Sequence, residues 1–332
     1  MSGSKPLFLV GMPRSGTKLL RTILNNHPSV GIATSETEFL PNWIKEWASY
    51  GDLSGRGNFH KFYKRSMQFP YFQNQLRKGA VIDEEAWFRS CATFDLPTVF
   101  SQVIQHNIGF KQNLLYWGDK SPGYTFWIKE INEAFPDSKF VHIVRDPRDY
   151  ALSVRKAWGR NLSRAVQQWK EGTDYVERVR HSPGVQLYTL KFEDLLQEPD
   201  ETITQLCEFL GVPFFPELLS VGQVESVGDA AEKSGIVKSN MNKFTEKLSP
   251  TEIRKMEAIC GKAMQGFNYL PIYEAGDRSL PTWKMLSIRV LDSLNVVRSN
   301  AKRRGWAYGL KHAILFRLMR MGARKNRKDL LN

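Results

Sequence analysis

A short apolar strand that runs into a glycine-bounded loop and straight on into a helix restricts this chain more than any other feature. Lys5 to Val10 reads as a buried strand, and Gly11-Met12-Pro13-Arg14-Ser15-Gly16-Thr17-Lys18 follows it. Glycines let a backbone curl until several N–H groups face one anion, and a helix N-terminus adds partial positive charge. Arg14 and Lys18 supply full charges. The helix is predicted over Thr17 to Asn26, where Leu19, Leu20, Ile23 and Leu24 recur at helical spacing before Asn25-Asn26-His27-Pro28 ends it. The nucleotide-triphosphate version of such a loop ends Gly-Lys-Ser/Thr, with the hydroxyl on Mg²⁺. Here Thr17 precedes Lys18 and Arg14 stands inside the loop. Cations without a metal suit a phosphate that is held and not transferred.

Lys139 to Val144 is an uninterrupted apolar, β-branched strand, as a parallel sheet covered on both faces requires. Val30 to Ala33 and Val185 to Phe192 read as further strands, and a helix is predicted near Glu201 to Leu210. Alternating strands and helices imply an α/β fold of three layers, like that of phosphate-loop proteins, with a central parallel sheet. Ligands of such sheets sit at the carboxyl ends of the strands. Between Leu40 and Gly118 the strand signal fades and sixteen aromatics accumulate. That segment, 40–118, is expected to be a largely helical insertion packed on the sheet, within one domain over 1–280. Most of its aromatics are expected to be core.

Arg145-Asp146-Pro147-Arg148-Asp149 leaves the 139–144 strand, with Asp146 as the helix cap and Pro147 in the first turn. Arg145 and Ser153, two helical turns on, are spaced to grip one phosphate from two sides. Arg148 either assists or pairs with Asp149. Alone, the block reads as a salt-bridge cluster; beside the first loop it reads as a second phosphate site.

Pro13-Arg14-Ser15-Gly16-Thr17 resembles the 5'-phosphosulfate loop of sulfotransferases that use 3'-phosphoadenosine 5'-phosphosulfate (PAPS), above all the tyrosylprotein and carbohydrate branches. The Arg-Asp-Pro-Arg…Ser block resembles their 3'-phosphate site. The resemblance covers roughly Lys5 to Tyr269. It implies PAPS as donor, 3'-phosphoadenosine 5'-phosphate (PAP) as product, no required metal, and a hydroxyl-bearing acceptor. Sulfuryl transfer needs a base for the acceptor hydroxyl, cations for the charge gathering on the reacting oxygens, and an in-line arrangement. Within Thr34-Ser35-Glu36-Thr37-Glu38, Glu36 resembles the family's base, and Glu38 is its rival. His27 occupies the family's His-Pro turn and is read as structural. Gly118-Asp119-Lys120-Ser121-Pro122-Gly123-Tyr124 is similar to the Glu-Lys-Ser/Thr-Pro-x-Tyr segment of carbohydrate sulfotransferases, whose lysine reaches the donor sulfate. Lys120, placed before a helix, is therefore the expected catalytic cation, with Arg14 sharing the charge. Lys238 to Phe244 resembles the loop that closes over the nucleotide, which makes Ser239, Asn242 and Lys243 candidate contacts. Two departures stand out. Lys18 replaces the family's second threonine, and Phe192 stands where tyrosine is common.

The net charge of +13 is unevenly placed. Thr282 to Asn332 holds thirteen Lys and Arg against two acids, a net +11, which leaves +2 for the remaining 281 residues. In this tail, 281–332, Trp283, Leu286, Val290, Leu294 and Val297 recur at helical spacing, as do Trp306, Leu310, Ile314, Leu318 and Met321. Basic amphipathic helices with tryptophan suit an anionic membrane surface. Packing on the enzyme is the plainer alternative, and no nucleic-acid motif accompanies the charge. No apolar run reaches membrane-spanning length, and the three cysteines form no framework. The expectation is a cytoplasmic enzyme, peripheral at the inner membrane face, acting on a glycolipid, lipid or saccharide. The rival readings are a Mg²⁺-dependent phosphotransferase and an inactive, membrane-docking nucleotide-binding protein.

Overall fold

A computed structural model describes residues 3–224 and 234–292. Five strands form one sheet: β1 (Lys5–Val10), β2 (Val30–Ile32), β3 (Tyr116–Lys120), β4 (Lys139–Val144) and β5 (Gln186–Lys191). Their order is β2-β3-β1-β4-β5, and every pairing is parallel. All five carboxyl ends therefore lie along one edge.

The pleat of β1 sorts the core into two layers. Leu7 and Leu9 join Leu20, Ile23 and Leu24 of the helix Thr17–Asn25 and Ile203 and Leu206 of the helix Pro199–Leu210. Phe8 and Val10 face the other way, into a layer built by the insertion. There the helices Leu40–Glu46, Arg56–Ser66, Pro70–Arg77, Glu84–Ser90 and Leu96–Asn107 bring together Trp43, Phe62, Phe72, Trp87 and Phe100, each fully buried or within 1% of it. These rings stack and cross at 4.8–6.2 Å, distances at which aromatic pairs attract beyond their buried area.

The insertion is not helical to its end, because β3 begins at Tyr116. Lys120 closes that strand, and a 3₁₀ turn, Pro122–Phe126, and the helix Ile128–Ala134 follow it. The strand escaped the sequence because Tyr-Trp-Gly-Asp-Lys carries one glycine and two charges in five residues. The sheet needs the glycine: a Cβ on Gly118 would lie 1.8 Å from the Leu7 carbonyl oxygen.

The chain divides into two compact units, the first taking residues up to Arg145 and Glu171–Met241, the second Asp146–Lys170 and residues from Asn242 on. The sheet belongs to the first. Within the second, Asp146 caps the helix Pro147–Trp158, accepting from the Arg148 amide. Arg148 does not pair with Asp149. Its guanidinium is held by Asp146 at 2.6 Å and by the buried Glu257 at 2.7 Å, and it covers the Phe244 ring. Asp149 instead accepts from the Phe244 amide at 2.9 Å. Residues 282–292 are helical. Met285, Ile288 and Asp292 form their buried face, and Asp292 accepts from Arg164 at 2.7 Å and from the Asn161 amide at 3.0 Å. Trp283, Leu286 and Val290 face solvent. The rest of the apolar stripe read in the tail lies outside the described residues. No described helix is long and apolar enough to cross a membrane.

Candidate active site

Four neighbouring strand ends deliver most of the expected residues of the first unit. β2 leads to Glu36, β3 ends on Lys120, β1 opens the 11–18 loop and β4 runs into Arg145. Lys120 is in register with Leu9, one residue before β1 ends.

The loop has the backbone that its glycines foretell. Gly11 takes φ +146° and Gly16 φ +95°. A Cβ on Gly11 would meet the Ile143 carbonyl oxygen at 2.5 Å, and one on Gly16 would meet the Phe192 ring at 2.3 Å. Arg14 is itself left-handed, at φ +77°, a conformation that costs a non-glycine residue on the order of 1 kcal/mol or more. The Gly11 amide donates to Thr125 Oγ1 at 2.8 Å, tying the loop's start to the turn after β3. Ser15 is 1% exposed, and its Oγ has no hydrogen-bond partner among the described residues. A buried hydroxyl at a helix start is costly to leave unmatched, and a bound anion is a group that would match it. Replacing Gly16 with Ala is expected to destabilise the protein by about 1–3 kcal/mol through strained φ and the ring clash. Adding Phe192→Leu should recover part of that loss in urea unfolding.

Arg145, 5% exposed, donates to the Arg14 carbonyl at 3.1 Å and the Asn240 carbonyl at 2.8 Å. Its guanidinium lies 4.6 Å from the centre of the Phe192 ring. Phe192 thus acts as a flat wall between Gly16 and Arg145. Ser239, next to Asn240, is exposed. Ser153 and Lys243 belong to the second unit.

Glu36 and Lys120 meet as an ion pair, with Lys120 Nζ donating to Glu36 Oε1. The pair is lopsided, since the lysine side chain is 1% exposed and the carboxylate side chain 41%. Burial pushes Lys120 below the usual lysine range, and the Glu36 charge works against that push. Glu38, φ +56°, keeps an open edge to solvent, yet crowding by the surrounding protein, and next the Glu36 charge, push its carboxyl up to about 7. The Gly123 amide donates to it at 3.3 Å. His27 has both ring nitrogens occupied, by the Pro213 carbonyl at 3.1 Å and the Ser29 amide at 3.0 Å, and is buried.

A family described as the sulfotransferase family matches residues 6–217. The chain belongs to the sulfotransferase family. A putative protein-tyrosine sulfotransferase of Caenorhabditis briggsae is 23% identical over 270 residues, covering 76% of this chain and 85% of that protein. The protein-tyrosine sulfotransferase of Drosophila melanogaster is 26% identical over 216 residues, 63% of this chain but 38% of its own length. The omega-hydroxy-beta-dihydromenaquinone-9 sulfotransferase of Mycobacterium tuberculosis is 33% identical over 112 residues, 29% of each chain. Among solved structures, the sulfotransferase domain from the curacin biosynthetic pathway superposes with a TM-score of 0.51 at 24% identity, covering 81% of this chain and 99% of that one. That likeness concerns the fold.

Some polar residues around this sulfotransferase's strand ends were not legible in the sequence. Arg21, one helical turn past Thr17, donates to the Thr34 carbonyl, and its charge adds to the downward push on Lys120. Asp119, completely buried, accepts from Thr37 Oγ1 at 2.8 Å and Ser121 Oγ at 2.6 Å. Thr37 also shares a hydrogen bond with the Tyr124 hydroxyl at 2.5 Å. The Asp and Tyr of the 118–124 segment were the available signal, since both flank the lysine the sequence singled out.

Proposed function

We propose that this sulfotransferase moves a sulfuryl group from PAPS to an acceptor hydroxyl, with Glu36 as base and Lys120 and Arg14 holding the charge that develops. The observation that carries the reading is the buried Lys120 paired with the half-open Glu36, at the strand end beside the glycine-bounded loop. The loop fits a phosphate. Its two glycines take the positive φ that lets the backbone curl, and the buried Ser15 Oγ has no hydrogen-bond partner among the described residues, which an anion would supply. Ser15, Gly16, Thr17 and Lys18 are assigned to the 5' side of the donor and Arg145 to the 3' side. For Ser153 the assignment rests on its spacing from Arg145, and for Ser239 and Lys243 on the resemblance of the 238–244 segment to a nucleotide-closing loop. Bound PAPS supplies the sulfuryl group.

Glu36 is the ionised partner of a cation, so it stands ready to take the proton of an acceptor hydroxyl. Lys120, released from that pairing as Glu36 gains the proton, turns to the reacting oxygens, whose growing negative charge replaces the carboxylate as its partner. A buried cation acts through less solvent screening than an exposed one. Arg145→Ala should bind PAP about 10–100-fold more weakly, as removal of a hydrogen bond to a charged group costs about 1.5–3 kcal/mol. Unchanged affinity, read from the thermal stabilisation that PAP gives each protein, would remove Arg145 from the donor site.

The acceptor is a hydroxyl carrier. Named relatives act on tyrosine in proteins and on a hydroxylated dihydromenaquinone, so the family tolerates both a phenol and a lipid. A membrane-borne acceptor is favoured by the anchored helix at 282–292. Asp292 fixes its inner face while Trp283 stays 73% exposed and Leu286 60%, ahead of a strongly basic sequence. The full chain should float with vesicles of anionic phospholipid and less with neutral ones. Trp283→Ser with Leu286→Ser should lower the recovery severalfold, and equal flotation of that variant would exclude this helix face from membrane contact.

A further inference from the structure

Two hydrogen-bond chains converge on Asp119, and both begin on the backbone of the turn that carries Glu36. In the first, the Leu40 amide donates to the Tyr124 hydroxyl at 3.2 Å, Tyr124 and Thr37 share a hydrogen bond, and Thr37 Oγ1 donates to Asp119 Oδ2. In the second, the Glu38 amide donates to Ser121 Oγ at 3.2 Å, and Ser121 Oγ donates to the same oxygen of Asp119. A hydroxyl that accepts from an amide spends its one proton elsewhere. The Leu40 amide therefore sets Tyr124 to donate to Thr37, as the Glu38 amide sets Ser121 to donate to Asp119. Every proton in both chains points the same way, and a carboxylate is the side chain that accepts from both ends without donating. Such aligned chains reinforce one another in a buried setting.

Position gives the network its meaning. Asp119 precedes Lys120, and Thr37 follows Glu36. Thr37 is 2% exposed, Ser121 and Tyr124 are fully buried, and Glu38 is held at a left-handed φ of +56° that its side chain does not favour. The network clamps the 36–40 turn against the carboxyl end of β3, which fixes where the Glu36 and Lys120 side chains begin. Asp119 Oδ1 is buried and has no hydrogen-bond partner among the described residues, so one oxygen serves the whole clamp.

We infer that Asp119, acting through Thr37, Ser121 and Tyr124, is a positioning residue that sets the Glu36–Lys120 pair for proton transfer. This rests on the sulfuryl-transfer reading above. Burial pushes the Asp119 carboxyl up to about 6, in keeping with a group retained for geometry at some electrostatic cost.

Thr37→Val removes one hydroxyl at nearly constant volume and cuts the first chain. Turnover is read as PAP released from PAPS with a panel of a phenol, a simple alcohol and water. The variant should lose about 10–100-fold in kcat, since displacements of about 1 Å cost about that much, with PAP affinity by calorimetry unchanged. Thr37→Ser, which restores the hydroxyl, should recover kcat. Asp119→Asn should fall less than Thr37→Val, because an amide oxygen can still accept from both hydroxyls while its NH₂ takes the place of Oδ1. Full kcat in Thr37→Val, or a loss of kcat matched by a loss of PAP affinity, would overturn the inference. If the wild type binds PAP but releases none from PAPS with any of the three, the sulfuryl-transfer reading fails beneath it.

Discussion

Glu36→Gln is expected to bind PAP as tightly as the wild type and to lose about 10²–10⁴-fold in kcat, the usual contribution of a positioned base. Glutamine keeps the shape and the oxygen that accepts from Lys120, so the turn should stay in place. It cannot take a proton. It also withdraws the charge that keeps Lys120 protonated against its burial. In the variant Lys120 should lose its proton at lower pH than in the wild type, and residual activity should fall away earlier as pH rises. The pH–rate profile checks both effects at once: a depressed plateau with its alkaline limb moved down. If Glu38→Gln shows the larger loss and Glu36→Gln a small one, the base is Glu38.

Lys120→Met separates catalysis from stability. A buried ammonium is expensive to desolvate, and removing one partner of an ion pair is costly only where the charge left behind stays buried. The carboxylate left behind is 41% exposed, so water can solvate it. Unfolding free energy is therefore expected to change by about 1 kcal/mol or less, or to rise. Turnover should nonetheless drop about 10²–10³-fold, the scale for removing one preorganised group that stabilises transition-state charge. A variant that loses stability by several kcal/mol would mark Lys120 as a structural residue. One that keeps its turnover would assign the charge stabilisation to Arg14 or Arg21.

The strand, loop and helix at the N-terminus were readable because each is specified locally, by an apolar run, by two glycines whose φ no other residue suits, and by helical spacing of Leu19 to Leu24. β4 and the Asp146-Pro147 helix start were readable for the same reason. β3 was not. Its five buried residues carry the glycine that β1 demands and the two charges of the site, so its composition argues for a loop while its neighbours make it a strand. Lys120 could be picked out by resemblance, but its burial and its partner could not, because the pair joins residues 84 positions apart. Asp119 shows the same limit. An aspartate beside a lysine reads as surface, and only the convergence of Thr37, Ser121 and Tyr124 makes it an interior acceptor. Arg148 was legible as a cation and not as to its partner, since Glu257 lies 109 positions away. Over 282–292, periodicity agrees with the helix, but which face is inward was decided by Arg164 and Asn161, through Asp292.

The direct measurement on the donor site is a calorimetric titration of the wild type with PAP in the presence of EDTA, beside one with ATP and Mg²⁺. PAP is expected to bind without metal, at an affinity well above that for ATP. Binding of Mg²⁺–ATP with no response to PAP would contradict it, and would make the 11–18 loop the cradle of a phosphotransferase.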